Sequence, residues 1–179
     1  MTARRQGIAV KRWLAVSSII SPPRDLSLEA TMRTVFNLDD RLTLAKRIDL
    51  LATDAPPRWG RMDCPQMLAH LSESVRMALG ELRVATKGPR ALRLPPIRHA
   101  VIHWLPFPKG APTAPELLVR RATDCRAECA ELKHLLERVG AMEGAREWPE
   151  HPAFGRMNSR DWGTLVHRHV DHHLRQFGA

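Results

Sequence analysis

The chain has 179 residues, 44% hydrophobic and 26% charged, with a net charge of +9 and three cysteines. That is one domain's worth of chain with apolar content for a buried core. It has no apolar run near the ~20 residues of a spanning helix, which argues against a membrane partner. An odd cysteine count argues against a disulfide framework and for a reducing cytoplasm. The positive charge is spread over several segments, without zinc-finger spacing, an aromatic-rich basic strand or a recognition helix. Nonspecific attraction to polyanions is all it implies, and no specific nucleic-acid partner is expected.

In chain order, two basic pairs, Arg4-Arg5 and Lys11-Arg12, precede a short apolar run from Trp13 to Ile20 and then Ser21-Pro22-Pro23-Arg24. The run is broken by two serines and no clear small-x-small cleavage site follows, unlike a signal peptide. Residues 1–31 read as a disordered or mis-assigned N-terminal extension, with Met32 as an alternative start, and residues 32–179 as a single domain.

Asn37-Leu38-Asp39-Asp40 places a capping residue three before a carboxylate and opens a first helix, with Leu42, Ala45, Ile48 and Leu51 as its buried stripe. The turn from Asp54 to Gly60 ends it. Asp63-Cys64-Pro65-Gln66 combines a cap, a first-turn proline and a reciprocal glutamine, and opens a second helix from about Cys64 to Leu82. Met67, Leu71, Val75, Ala78 and Leu82 form its apolar face; His70 lies on the flank, as a boundary residue with one side wet.

Residues 83–113 are broken by Gly88, Pro89, Pro95, Pro96, Pro106, Pro108, Gly110 and Pro112. About thirty residues far exceed the ~2–8 that join antiparallel neighbours, and suffice for a crossover that leaves helices two and three parallel. A short helical turn is expected from Arg98 to Trp104. Trp104 to Pro108 is apolar enough to cover one end of the core near the metal-site end. Thr113-Ala114-Pro115-Glu116 reads as a capping box that starts a third helix running to Val139, with Cys125 and Cys129 as core thiols beside Leu118, Ala122, Leu132 and Leu136. A loop through Trp148 and Pro152 leads to Asn158-Ser159 and the last helix. No strand alternation is found. The fold class expected is all-α: a four-helix bundle with one long crossover, an architecture whose interior builds metal sites from facing helices.

The last helix carries the chemistry. His169 and His173 are four residues apart and share a face, with Cβ atoms roughly 5–6 Å apart. They sit in the middle of an apolar stripe formed by Trp162, Leu165, Val166 and Gln176. His167 points the other way, to the surface, and Asp171 also faces away. Two core imidazoles need partners, either a shared metal ion or each other through hydrogen bonds, and spacing alone does not choose. His99 and His103 have the same spacing inside the connector.

Several segments together resemble the DinB/YfiT-like metal-dependent superfamily. Pro57 to Leu71 (PRWGRMDCPQMLAHL) is similar to the start of its second helix. Trp104 to Glu116 and His151-Pro152-Ala153-Phe154-Gly155 look like one uncharacterised branch of it, and His169 to Gln176 completes the match, over about residues 32–179. The resemblance implies an up-down-down-up bundle in which one histidine on helix two and a pair on helix four bind a divalent metal. The matching positions are His70, His169 and His173, which makes His99 and His103 a coincidence. Gln176 lies on the site face and could orient a ligand from behind; His172, about 60° from His169, reads as such a donor or as a half-exposed surface residue. Three neutral imidazoles suit zinc, nickel, iron or copper and leave a position open to water or substrate. The resemblance thus implies a metal-dependent enzyme activating a thiol or water, with a low-molecular-weight thiol as a small-molecule partner by analogy with superfamily thiol transferases. Without an evident general base, hydrolysis is less favoured. The alternatives are a bundle that binds metal or a small ligand without turnover, and an interaction module with hydrogen-bonded histidines. Apolar bundle faces also allow a homodimer, though no particular surface is marked.

Overall fold

A computed structural model describes residues 32–179 apart from 53, 55, 87 and 123; the N-terminal extension expected over 1–31 lies outside them. The capping residues set most helix starts. Asn37 accepts the Asp40 N–H at 3.0 Å and begins α1 (Leu38–Asp49). Asp63 accepts the Gln66 N–H at 2.8 Å while Gln66 accepts the Asp63 N–H at 3.2 Å, a complete capping box at the start of α2 (Cys64–Ala78). Helix α2 stops short of Leu82, because Gly80 adopts φ +79°, a conformation that a helix cannot continue through.

The connector holds more helix than its prolines suggest. A 3-10 turn (Arg90–Arg93) leads into α3 (Pro95–His103), a nine-residue helix. Pro95 and Pro96 start it instead of breaking it, since a helix's first residues need no amide hydrogen and proline's fixed φ suits them. The expected helix start at Thr113 is not formed: Pro115–Leu117 is only a 3-10 turn without a side-chain cap. Leu118 and Val119 are exposed, so a helix through them would have no apolar face to bury. Asp124 takes the role instead, accepting from Arg126 and Ala127 N–H, and begins α4 (Cys125–Gly140). Asn158 caps the last helix, α5 (Ser159–Gln176), through the Asp161 N–H at 2.8 Å.

Among the described residues the regular elements are therefore helices, five of them α, with a single isolated bridge between His151 and Gly155. Helix α2 packs most extensively on α4 and also on α5; α1 packs on α4 and α5, and α3 lies against α5. Their shared core contains Ile48, Met67, Leu68, Leu71, Leu132, Leu136, Trp162 and Leu174. Ile48 and Leu51 are buried as expected, but Leu44 takes the place of Leu42, which faces water, and Ala45 is half-buried. Cys125 is buried as expected, with its Sγ 3.2 Å from that of Cys64 across the first turns of α2 and α4, while Cys129 is half-buried against the core. Burial pushes the Cys64 thiol up and Cys129 to about 11, so both stay protonated.

Two histidines differ from their expected exposure for one reason. Helices α2 and α5 are enclosed on several sides, so a flank is not a surface. All residues from Met67 to Val75 are buried, and His70 is only 3% exposed. His167, expected outside, is also 3% exposed, because α5 is covered by α1 on one side and α3 on another.

Gly163 marks the closest approach. The Val35 N–H donates to its carbonyl at 3.2 Å. A Cβ there would lie 2.3 Å from the Phe36 ring and 2.4 Å from Thr34 Oγ1. Gly163→Ala is expected to destabilise the fold by about 1–3 kcal/mol in urea unfolding; an unchanged midpoint would show that residues 34–36 do not pack there.

Candidate metal centre

Helix α2 contributes His70, and α5 contributes His169 and His173 one turn apart. The three rings form a nearly equilateral cluster, with centroids separated by 5.1, 5.1 and 4.9 Å. One nitrogen from each lies within 4.8 Å of the others, so the group could hold a metal ion. Nε2 of His70 and Nε2 of His169 are 3.2 Å apart. Two imidazoles on one tetrahedral zinc ion, each at about 2.0–2.1 Å, would have nitrogens about 3.3 Å apart. The separation fits a shared ion as well as it fits one N–H···N bond.

The third ring adds what a hydrogen-bonded pair does not require. Gln176 donates its amide to the Trp59 carbonyl, which turns Oε1 toward His173. His173 Nδ1–H therefore donates to Oε1 at 2.7 Å, and the Nε2 lone pair is left free. Gln176 thus orients a candidate ligand from behind. His70 Nδ1 is buried without a hydrogen bond of normal geometry.

The electrostatics match a donor set. Burial lowers the pKa of His70 to about 4, with the Leu117 backbone opposing weakly. Burial, then the charge of His70, lowers His173 to about 4. Burial, then His173 and His70, holds His169 well below the ordinary histidine range. All three are neutral at physiological pH, as metal ligation requires.

A cavity of about 1000 Å³ opens beside His169 and His173. Leu71 and Val75 of α2, Leu165 and Val166 of α5, and Pro106 to Pro108 of the connector give it mostly apolar walls, with His70 behind them. Among the described residues no Asp or Glu lines it. His172 belongs to the wall: its ring packs on Trp59 at 5.6 Å and Phe107 at 5.9 Å, and it makes no hydrogen bond to the cluster among the described residues. Phe107 also approaches His169, at 6.5 Å, while Trp104 of the same segment points into water.

The model of a family described as "Protein of unknown function (DUF1569)" matches residues 30–179. The chain belongs to this family. No curated protein and no solved structure matches it. The histidine cluster, Gln176 and the cavity all lie inside the DUF1569 domain.

The same domain contains a second group that could hold a metal ion, formed by His99, His103 and Asp161. Its histidine spacing is visible in the sequence, but Asp161 is 58 residues beyond His103 and is brought to it by α3 packing on α5. His103 Nε2 already lies 2.9 Å from Asp161 Oδ1, and the Arg98 guanidinium is 3.9 Å from the other carboxylate oxygen. This group pins α3 to the first turn of α5, and the cation of Arg98 works against a metal there. Asp171 is also occupied, by Arg47 at 2.7 Å and Arg175 at 2.6 Å. Burial disfavours its charge, but those two partners outweigh it and hold its pKa below the usual value.

The shifts predict a pH dependence for the metal-free domain. His70 and His173 have folded pKa values of about 4 against 6.5 when unfolded. Between those values the unfolded chain takes up protons that the folded one refuses, so stability present above pH 6.5 is lost as pH falls toward 4. With chelator present, the melting temperature is expected to fall from pH 7.5 to 4.5, and less steeply in His70→Gln. A flat profile in the wild type would contradict these environments.

Proposed function

We propose that the domain is a DinB/YfiT-like four-helix bundle that holds a divalent transition metal, such as zinc, nickel or iron, on His70, His169 and His173. In this reading α1, α2, α4 and α5 are the four helices in up-down-down-up order, and α3 belongs to the crossover. The function that fits best is a metal-dependent enzyme activating a thiol, or less readily water, in a transferase reaction on a small molecule. One observation carries it: three neutral imidazoles from two helices converge at the edge of an apolar cavity.

Such an ion, when bound, supplies Lewis acidity that lowers the pKa of a thiol or water reaching it. The chain's own residues supply the rest. Burial keeps the three rings neutral, and Gln176, held by the Trp59 carbonyl, fixes the tautomer of His173. Phe107 and Trp59 narrow the approach to the histidines and limit water. That no carboxylate lines the cavity among the described residues favours a thiol over hydrolysis, because a deprotonated thiol needs no separate base, whereas hydrolysis wants one. Three free thiols, two of them buried, fit a cytoplasmic protein, and no helix of the described residues is long and apolar enough to cross a membrane.

A second reading, a non-catalytic bundle that binds metal or a small ligand, uses the same residues. The cavity's size, at the upper end of the ~300–1,000 Å³ usual for ligand pockets, favours a ligand besides the ion in either case.

Metal analysis after purification under zinc-, nickel- and iron-replete conditions tests the site. About one ion per wild-type chain is expected, and close to none in His169→Ala/His173→Ala. Equally low content in both would overturn the reading. Gln176→Leu is expected to weaken metal affinity by about 10–100-fold in competition with a chromophoric chelator; unchanged affinity would remove Gln176 from the site.

A further inference from the structure

Among the polar groups of the cavity wall that the metal reading does not use is His151. His151 begins a tight loop closed by two backbone bonds, His151 N–H to the Gly155 carbonyl at 2.9 Å and Gly155 N–H to the His151 carbonyl at 2.8 Å. Gly155 turns the chain with φ +70°. Inside the loop, the backbone N–H groups of Ala153 and Phe154 both donate to His151 Nδ1, at 3.1 and 3.2 Å. A ring nitrogen that accepts two N–H donors carries no proton, so in the neutral ring the proton sits on Nε2.

The ring is also held in place. It packs on Phe154 at 4.7 Å and on Trp162 at 5.4 Å. Burial, with the nearby Arg93 charge, lowers its pKa to about 4 and keeps it neutral. Nε2–H has no hydrogen-bond partner among the described residues, yet it is not one of the sealed, orphaned atoms of the interior. His151 lines the cavity, and its charged form would be felt at His169. Trp162 Nε1–H also lacks a partner but is sealed in the interior. Ser74 donates to the His70 carbonyl and Gln176 is held by Trp59 and His173, while Arg61 lies in an exposed loop. A donor of fixed tautomer beside apolar walls favours a ligand that brings an acceptor. With no carboxylate in the wall among the described residues, these residues offer no counter-charge for a cationic ligand.

We propose that His151 is a ligand-positioning residue, and that the cavity takes a small, uncharged apolar molecule whose carbonyl-type oxygen accepts from His151 Nε2–H. The apolar body fills the space between α2, α5 and the connector, and the bond fixes the oxygen relative to His169 and His173. The proposal shares its cavity with the metal reading and does not depend on it.

Acetophenone and ethylbenzene are nearly isosteric and differ in the carbonyl, so they serve as probes, titrated against the full-length, metal-free protein. Wild type is expected to prefer acetophenone by about tenfold, the size of one net hydrogen bond. In His151→Asn the amide oxygen can replace Nδ1 as acceptor for the loop, but no donor reaches the position of Nε2. This variant is expected to lose the preference while keeping its melting temperature and its metal content after reconstitution. Absence of preference in wild type, binding of neither probe, or an undiminished preference in His151→Asn would each overturn the proposal. If the variant does not fold, nitrogen NMR of wild type decides. The His151 Nε2–H resonance should shift with acetophenone and much less with ethylbenzene, and equal or absent shifts would overturn it. Because the probes are read without metal, failure of the histidine triad leaves the result interpretable, and metal content reports on the triad separately.

Discussion

Packing three imidazoles side by side, His70 and His173 buried and His169 partly so, is the constraint on which the rest of the molecule depends. Each ring would lose hydration if charged, so all three are neutral, and each neutral ring needs its proton placed. For His173 that placement runs outward from the cluster: ring to Gln176, and Gln176 to the Trp59 carbonyl. Gly60, the next residue, has no room for a side chain, since a Cβ there would sit 2.5 Å from the Gln176 amide nitrogen, and its φ of +83° suits glycine alone. The loop between α1 and α2 is thereby tied to the chemistry of α5. The capping box at Asp63 then directs α2 back past the same helix and brings His70 into position.

The same helix organises the cavity from its other side. Arg168 donates to the carbonyls of Val101, Ile102 and Leu105, which satisfies the end of α3, and its guanidinium lies 4.8 Å from the Phe107 ring. His103 and Asp161 fasten α3 to the first turn of α5. A connector that looks irregular in sequence is held around the C-terminal half of α3 by polar residues of α5, and Phe107, a few residues on, lies at the edge of the histidine cluster. Arg168 and Asp161, which lie outside the apolar stripe of α5, thus contact the connector, while Asp171 pairs with Arg47 of α1.

That explains what was legible in the sequence and what was not. Caps are local: Asn37, Asp63 with Gln66, and Asn158 each bond within three residues, so their helix starts could be read directly. The inward phase of His169 and His173 was also local, because it follows from the apolar residues of their own turn. His70 and His167 depend on how many neighbours cover α2 and α5, and periodicity assumes one wet face that neither helix fully has. The prolines at 95 and 96 look like interruptions in a linear pattern, yet they suit a helix's first turn. Thr113 and Glu116 had the form of a capping box, but the exposed Leu118 and Val119 show no core to reward a helix there. Asp161 and His151 could not be placed by spacing, since their partners come from a distant helix or from a loop whose closure is visible only in three dimensions.

Anomalous diffraction from a crystal of the zinc-loaded protein tests the central claim most directly. One peak is expected about 2.0–2.1 Å from a nitrogen of each of His70, His169 and His173, on the side facing the cavity. No peak there, or a peak only among His99, His103 and Asp161, would contradict it.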